Sequence, residues 1–410
     1  MTNEEFIHRY REDDVRKLAL GKVPEGVDLR WCLQQIEGWQ IARKKLPTWA
    51  QTEGLYYPVR LSMEQCSSEE TAQYKRTIVE RLIPQDERLG MADLTGGLGV
   101  DFSFLAPLFQ QSTYVEIQPD LCDLARHNMP LLGIKSEKFL NESSVTSAER
   151  RIKNNSSHFS PLTSHFSLLF LDPARRDTAG RKTVGIEDCT PNLLDLQDEL
   201  LAHAQWVMVK LSPMLDITEA LRQLHHVYEV HVVSVRGECK ELLFVQNVKN
   251  SGDVSIHCVN LGTDDDEVEV KSYFDGKVEK VSVDVDVNIN VGDFLYEPNA
   301  SILKAGVQDT LCERYGVMKL HPHSNLFCSD TLIPHFPGRR FRITGISDFS
   351  KKGLKALLGD LRQANLTVRN FPTTVEKLRR QLHIAEGGDT YLFATTLSNG
   401  QHALLRCQKA

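Results

Sequence analysis

A chain of 410 residues exceeds what a single hydrophobic core usually serves, so two or three domains are expected. Hydrophobic residues at 41% and charged residues at 25% describe an ordinary globular protein; no apolar run approaches the roughly 20 residues of a membrane-spanning helix, and the opening MTNEEFIHRYREDD is too charged for a secretory signal, which leaves a cytoplasmic protein as the expectation. The formal net charge of −7 is unevenly spread: residues 337–410 carry 13 Lys plus Arg against 5 Asp plus Glu, a balance of +8, while the remainder carries 35 against 50, a balance of −15.

Cations gathered at one end are what a polyanion-binding surface needs, although a solvated basic helical face gives the same count. Nine cysteines stand singly, with no Cys-x-x-Cys pair. That spacing argues against a structural zinc site and against a disulfide framework, so no metal is expected.

Residues 1–85 read as helical, with apolar positions three and four apart over 29–49 and 69–82. The second segment follows Ser68 and opens on Glu69 and Glu70, the composition of a helix start. Over 86–250 short apolar runs alternate with longer amphipathic ones, the signature of a parallel sheet covered by helices. Strands are predicted over 91–94, 113–116, 138–140, 168–171, 206–210, 228–235 and 241–246. The last two are joined by only Arg236-Gly237-Glu238-Cys239-Lys240, too short for a helical crossover, so they should pair antiparallel.

A polar segment over 141–166, containing Asn154-Asn155-Ser156-Ser157-His158, reads as a surface insertion. Residues 252–292 alternate, as in Val268-Glu269-Val270 and over 281–287, and predict extra antiparallel strands; a helical stretch follows near 301–314. The tail gives strand 340–344, helix 351–364, strand 367–370, helix 374–385 and a hairpin around Ser398-Asn399-Gly400. The organisation expected is a helical region (1–85), an α/β domain (86–250), an α+β region (251–336) and a small basic βαβαββ module (337–410).

The sharpest motif is Asp93-Leu94-Thr95-Gly96-Gly97-Leu98-Gly99-Val100-Asp101, which leaves the first predicted strand and enters a helical pattern. Glycines at such a turn let the backbone come close to a ligand. Glu116 ends the second predicted strand about 20 residues on, where a carboxylate can accept both hydroxyls of a ribose. A dinucleotide site uses the same pair, so an oxidoreductase remains open at this point. Two features favour a different cofactor: Asp93 sits where a pyrophosphate would be repelled, and no third glycine stands at the Gly-x-Gly-x-x-Gly offset.

The turn resembles motif I of the class I S-adenosylmethionine-dependent methyltransferases, and a mostly parallel sheet ending in an antiparallel hairpin is similar to their Rossmann-like seven-stranded sheet. On that resemblance Asp93, Thr95, Gly97 and Gly99 would wrap the methionine portion of S-adenosylmethionine, Glu116 would hold the ribose, and Asp101 would reach the ammonium group directly or through water.

A second motif, Asp172-Pro173-Ala174-Arg175, ends the fourth predicted strand and should face the same crevice. It resembles the Asp/Asn-Pro-Pro-aromatic motif of amino-methylating enzymes at its first two positions and departs from it at Ala174 and Arg175. Asp172 and Pro173 are the expected catalytic pair. Lys210, ending the fifth strand, either neutralises a substrate group or is a solvated strand end. His321-Pro322-His323 reads as a loop.

Residues 295–306, with Leu320-His321-Pro322 and Ser324-Asn325-Leu326, resemble the THUMP-like region of a bacterial family of class I methyltransferases, whose C-terminal part is ferredoxin-like. That resemblance implies an RNA substrate. The RNA-binding residues expected are Arg339 and Arg340 on a strand and Lys377 and Arg380 on a helix, cations that can meet phosphates while neighbouring rings stack on bases. The sequence reading is therefore a methyltransferase acting on a base in RNA; a non-catalytic RNA-binding protein with a vestigial cofactor fold is the alternative from another class.

Overall fold

The structure, a computed structural model, describes residues 1–410 except 136–137, 142–164, 175–184, 251, 264–267, 273–284, 286–287 and 360. Two compact units comprise Met1–Glu229 with Leu242–Gly252, and Val230–Glu241 with Asp253–Ala410.

The first unit begins with α1 (Asn3–Tyr10), α2 (Val15–Ala19), α3 (Leu29–Lys45), α4 (Pro47–Gln51), α5 (Arg60–Gln65) and α6 (Glu69–Leu82). Thr2 and Glu5 cap each other's backbone at α1, and the Asp14, Asp28 and Ser68 side chains accept N–H bonds at the starts of α2, α3 and α6. The helix expected over 29–49 is divided because Pro47 has no N–H to continue α3 and instead opens α4. Phe6, Cys32 and Ile36 form the small core of this region.

Residues 1–85 share their unit with residues 86–229. The Gln35 side chain bonds both the N–H and the carbonyl of Tyr57. Asn128, on α8 (Pro119–Leu131), does the same for Tyr56. Each amide thereby satisfies two backbone groups that the intervening loop leaves without a ladder partner.

The sheet contains β1 (Gly90–Asp93), β2 (Gln111–Val115), β3 (Lys138–Leu140), β4 (Phe166–Leu171), β5 (Ala204–Leu211), β6 (Val227–Val235), β7 (Glu238–Gln246), β8 (Val254–Leu261) and β9 (Val268–Ser272), in the order β3-β2-β1-β4-β5-β7-β6-β8-β9. β1, β2, β3, β4 and β5 pair in parallel, and β7 lies antiparallel to β5. All six residues of β4 are buried, as in a central parallel strand covered on both faces. The seven strands expected are present; β8 and β9 extend the sheet to nine. The β6–β7 connection is tighter than expected, because β7 starts at Glu238 and leaves Arg236 and Gly237, with φ of 50° and 82°, as a two-residue turn of the kind that matches strand twist.

The second unit holds a seven-stranded sheet of β10 (Phe294–Pro298), β11 (Met318–Lys319), β12 (Phe327–Ser329), β13 (Gly338–Ser347), β14 (Asn365–Val368), β15 (Tyr391–Thr396) and β16 (His402–Lys409), ordered β11-β12-β10-β13-β16-β15-β14. One core gathers Leu295, Phe341, Ile343, Phe393 and Leu405. A second packs Leu357 of helix Lys351–Leu358 and Leu378 of helix Val375–Leu382 with Leu366, Leu392 and Leu404.

The βαβαββ order of the tail is as read from the sequence, with the first helix ending earlier, at Leu358 before Gly359. β10 pairs with β13, so the strands before and after residue 337 share one sheet. The helical stretch expected over 301–314 is two helices, Ala300–Ala305 and Thr310–Tyr315, parted at Gly306, whose φ of 72° no helix continues through. The alternating residues after 252 supply β8 and β9, which pair antiparallel. Residues 281–287, apart from Val285, and nearly all of the insertion over 141–166 lie outside the described residues. Among the described residues no helix is long and apolar enough to cross a membrane.

The start of β13 is set by close backbone approach. A Cβ on Gly338 would stand 2.2 Å from the Glu297 carbonyl oxygen and 2.8 Å from the Pro298 Cα, atoms that cannot move aside singly. Gly338→Ala is expected to destabilise the protein by about 1–3 kcal/mol, the usual cost of overpacking, read as a lowered melting temperature. An unchanged melting curve would refute this.

Candidate functional site

The crevice lies at the carboxyl ends of β1, β2, β4 and β5, all in the first unit, where a parallel α/β sheet leaves room for a ligand. β1 delivers Asp93, which is 1% exposed. The turn after it doubles back through Gly97 (φ 55°) and Gly99 (φ 83°), left-handed positions that glycine fills without strain, and Gly99 caps α7 (Val100–Leu105). The turn's amides are engaged by the protein: Thr95 N–H donates to Asp93 Oδ1 (3.0 Å), Gly96 N–H to the Val115 carbonyl (2.8 Å), Gly97 N–H to Glu116 Oε2 (2.7 Å) and Gly99 N–H to the Gly96 carbonyl (2.8 Å). A phosphate cradle needs such groups aimed outward.

Glu116 is 5% exposed and its second oxygen accepts the Gln118 N–H at 2.8 Å, so the carboxylate bridges the glycine turn and the start of α8. Ile117, directly after it, is 61% exposed. Thr95 also reaches across the sheet, its Oγ1 accepting the Asp172 N–H at 2.6 Å. Asp172 is thereby fixed through its backbone, while its side chain forms an ion pair with Lys210, the group ending β5. Pro173 beside it is buried and Asp172 is half-buried. Arg175 lies outside the described residues.

Asp101 is the second residue of α7. Its carboxylate is bound within the protein, by Lys75 Nζ from α6 (2.9 Å) and by the Ser67 hydroxyl (2.6 Å), and Lys75 itself is 0% exposed. Burial would raise the Asp101 pKa, but the ammonium groups of Lys75 and Lys210 and the Ser67 hydroxyl more than offset it and hold the carboxyl below its ordinary range. Lys75 and Ser67 had no signal in the sequence: a lysine within an amphipathic helix reads as a solvated group. Cys66, just before Ser67, lies within electrostatic reach of Lys45, Lys210 and Asp101, and burial pushes its thiol above the ordinary value.

Asp93 is the opposite case. Burial, with the charges of Asp101, Asp172 and Glu116 nearby, drives its carboxyl well above the usual carboxylate range despite the Thr95 N–H. The crevice therefore gathers four carboxyl groups, Asp93, Asp101, Glu116 and Asp172, with two lysines, Lys75 and Lys210. Such a site repels pyrophosphate and suits a cofactor carrying positive charge, which disfavours a nicotinamide dinucleotide and fits a sulfonium with an ammonium group.

Over its whole length the chain is 33% identical to a candidate methyltransferase of Porphyromonas gingivalis, whose crystal structure matches with a TM-score of 0.81, covering 100% of this chain and 97% of that one. The chain belongs to this family of class I S-adenosylmethionine-dependent methyltransferases. Uncharacterised S-adenosylmethionine-dependent methyltransferases from two strains of Mycobacterium tuberculosis are each 24% identical to this one over 298 residues, 71% of this chain and 73% of theirs. Within the methyltransferase, residues 294–337 match a family described as a ferredoxin-like domain and residues 338–409 one described as THUMP domain-like, the reverse of the order that the resemblance implied.

In the second unit the four expected cations do not form one group. Arg339 bonds Glu297 through Nε (2.7 Å) and Nη2, so it is part of the fold. Arg340 is half-buried on the same strand, and Lys377 and Arg380 are exposed on helix Val375–Leu382. His321 and His323 sit in a loop after β11, where His321 Nδ1 accepts the His323 N–H at 3.0 Å.

The raised Asp93 pKa has a definite sign in stability. Its neutral form is favoured in the native state, so its contribution is complete below about pH 3.9, the unfolded value, and is lost as pH rises towards the folded value, at up to about 1.4 kcal/mol per pH unit. Asp93→Asn should therefore melt above the wild type at pH 7–8, with the difference vanishing near pH 4. A wild type that melts higher at pH 8 would contradict the assignment.

Proposed function

We propose that this methyltransferase transfers the methyl group of S-adenosylmethionine to a base in RNA, in the cytoplasm, with Asp172 aligning the acceptor. The observation that carries the catalytic part is the fixing of Asp172 from both ends, by Thr95 at its backbone and by Lys210 at its side chain, at the mouth of the cofactor crevice. When bound, S-adenosylmethionine supplies an electrophilic methyl group on a sulfonium. The protein's share is to hold the acceptor in line and its lone pair free, and Asp172 provides an acceptor oxygen for that purpose. A proton lost from the acceptor can pass to this carboxylate, so no histidine is required.

Asp93, Thr95, Gly97 and Gly99 would hold the methionine portion, Glu116 the ribose hydroxyls, and Ile117 offers an apolar face beside them. Asp101 acts through Lys75 and Ser67, keeping the first turn of α7 in place. Asp93→Ala and Glu116→Ala should each weaken S-adenosylmethionine and S-adenosylhomocysteine binding tenfold or more, about 1.5–3 kcal/mol for a lost charge-assisted bond. Asp172→Ala should abolish transfer with cofactor affinity kept within a few fold. Calorimetry and incubation of the protein with radiolabelled cofactor and total cellular RNA, followed by digestion to nucleosides, test both. Label absent from every nucleoside would end the RNA reading, and full turnover by Asp172→Ala would make the Asp-Pro turn purely structural.

RNA as the substrate is supported by the +8 balance of residues 337–410 against −15 elsewhere and by the THUMP-like description of that region. Arg340, Lys377 and Arg380 are the cations proposed to meet phosphates, together with the part of Arg339 not engaged by Glu297. Arg340→Glu/Lys377→Glu/Arg380→Glu should weaken RNA binding and flatten its salt dependence, with cofactor affinity unchanged. Filter binding at several salt concentrations reads both, and equal slopes would remove these residues from the interface.

A further inference from the structure

The segment Tyr296-Glu297-Pro298-Asn299-Ala300 lies in the second unit, where β10 ends. Glu297 is 4% exposed in its side chain and sits between two guanidinium groups, Arg339 on one oxygen and Arg369 Nε on the other at 2.9 Å. Beside this triad lies a cleft of about 680 Å³, contained in the second unit, whose charged lining side chains are Arg236, Glu297, Arg339, Arg340, Arg369 and Lys409. Arg339 and Arg369 share the Glu297 carboxylate, and Arg340 and Lys409 bring two further cations to the same cleft. Like charges gathered in a cleft repel one another, and an anion relieves the repulsion.

The cleft also has unused donors. Among the described residues Arg340 makes no side-chain hydrogen bond or ion pair, and the Lys409 ammonium meets the face of the Tyr391 ring, 5.9 Å from its centre. Arg339 turns Nε and Nη2 to Glu297, which leaves Nη1 unengaged among the described residues. Asn299 lines the same cleft at 7% exposure; its oxygen accepts the Ser301 hydroxyl at 2.6 Å, and its Nδ2 has no partner among the described residues. A buried amide donor without an acceptor is costly, and it points to a ligand oxygen. Planar guanidinium groups match the oxygens of phosphate, and the volume is that of a nucleotide-sized ligand more than of a lone ion.

We propose that this cleft is a phosphate-ester site, separate from the cofactor crevice, in which Arg340, Lys409, the free edge of Arg339 and the Asn299 amide bind the phosphate while the Arg339–Glu297–Arg369 triad holds the cleft open. The ester is either a mononucleotide or a phosphodiester of a nucleic acid strand. The site stands without the RNA reading, and it would give that reading an anchor point if the strand proves to be the source.

The test uses the full-length protein and three probes at low salt: adenosine monophosphate by calorimetry, a ten-nucleotide single-stranded RNA without terminal phosphates by fluorescence anisotropy, and acetate as competitor. Wild type should bind at least one phosphate probe, with acetate a poor competitor. Arg340→Ala/Lys409→Ala should weaken that binding tenfold or more, while Lys351→Ala/Lys352→Ala, on exposed lysines outside the cleft, should stay within twofold. S-adenosylmethionine affinity should be the same in all three proteins. Should the alanine pair melt early, Arg340→Gln/Lys409→Gln keeps a polar side chain with its first methylenes, removes both charges and answers the same question. If the strand is the ligand, losing two phosphate contacts lowers the log–log salt slope by about 1.4.

Binding of the mononucleotide without the strand upholds the site and removes support for RNA. Strand binding that is undiminished in the double variant overturns the site and leaves the RNA reading intact. No binding of either phosphate probe, or equal competition by acetate, overturns the proposal.

Discussion

The buried ion pair between Lys75 and Asp101 constrains more of this molecule than any other single contact. An ammonium group with no exposed surface has to be paired, because leaving it alone in the interior costs several kcal/mol. Its partner is the second residue of α7, the helix that the glycine turn launches. The N-terminal helices therefore cannot be displaced from the catalytic sheet without exposing or stranding a charge. Ser67 completes the arrangement by bonding both groups, to Asp101 at 2.6 Å and from Lys75 at 3.2 Å, so the segment before α6 is drawn to the same place. What reads along the chain as a separate helical preface is tied to the helix that follows the glycine turn.

Charge selects the cofactor as strongly as shape does. The glycine turn alone is shared by dinucleotide and methyl-donor sites, and the distinction comes from where its amides point and which groups surround it. Here Thr95, Gly96, Gly97 and Gly99 give their N–H groups to protein oxygens, and four carboxyl groups share the space with two lysines. Asp93, the most deeply buried of these acids, is held well above the usual carboxylate range by burial and by the neighbouring acids.

Much of this was legible in the sequence. Strand positions, the antiparallel end of the sheet, the glycine turn and Glu116 all follow from patterns spanning a few residues, where local chemistry dictates local structure. β4 was legible because a strand buried on both faces is apolar throughout, and the tail because its helices and strands change period cleanly. The residues that escaped notice are those whose role is set by partners distant in the chain. Lys75 looks like any lysine on a helix, and only the approach of α7 makes it a buried counter-ion. Arg339 looks like a free cation until β10 brings Glu297 opposite it in register. The division of 29–49 at Pro47 and of 301–314 at Gly306 shows the remaining limit, since apolar spacing persists across a residue that ends a helix.

The Glu297 triad has a consequence for how the second unit is assembled. Its carboxylate comes from β10, one guanidinium from β13 and the other from Arg369, just beyond β14, at sequence separations of 42 and 72. The carboxylate therefore enters the interior safely only when chain from both family-model regions, 294–337 and 338–409, is already in place. A fragment ending at 337 keeps the acid and loses both of its partners, while one beginning at 338 keeps two cations with nothing between them. Although the two regions carry different family descriptions, they share one sheet and one ion triad, and neither is a self-sufficient folding unit in charge.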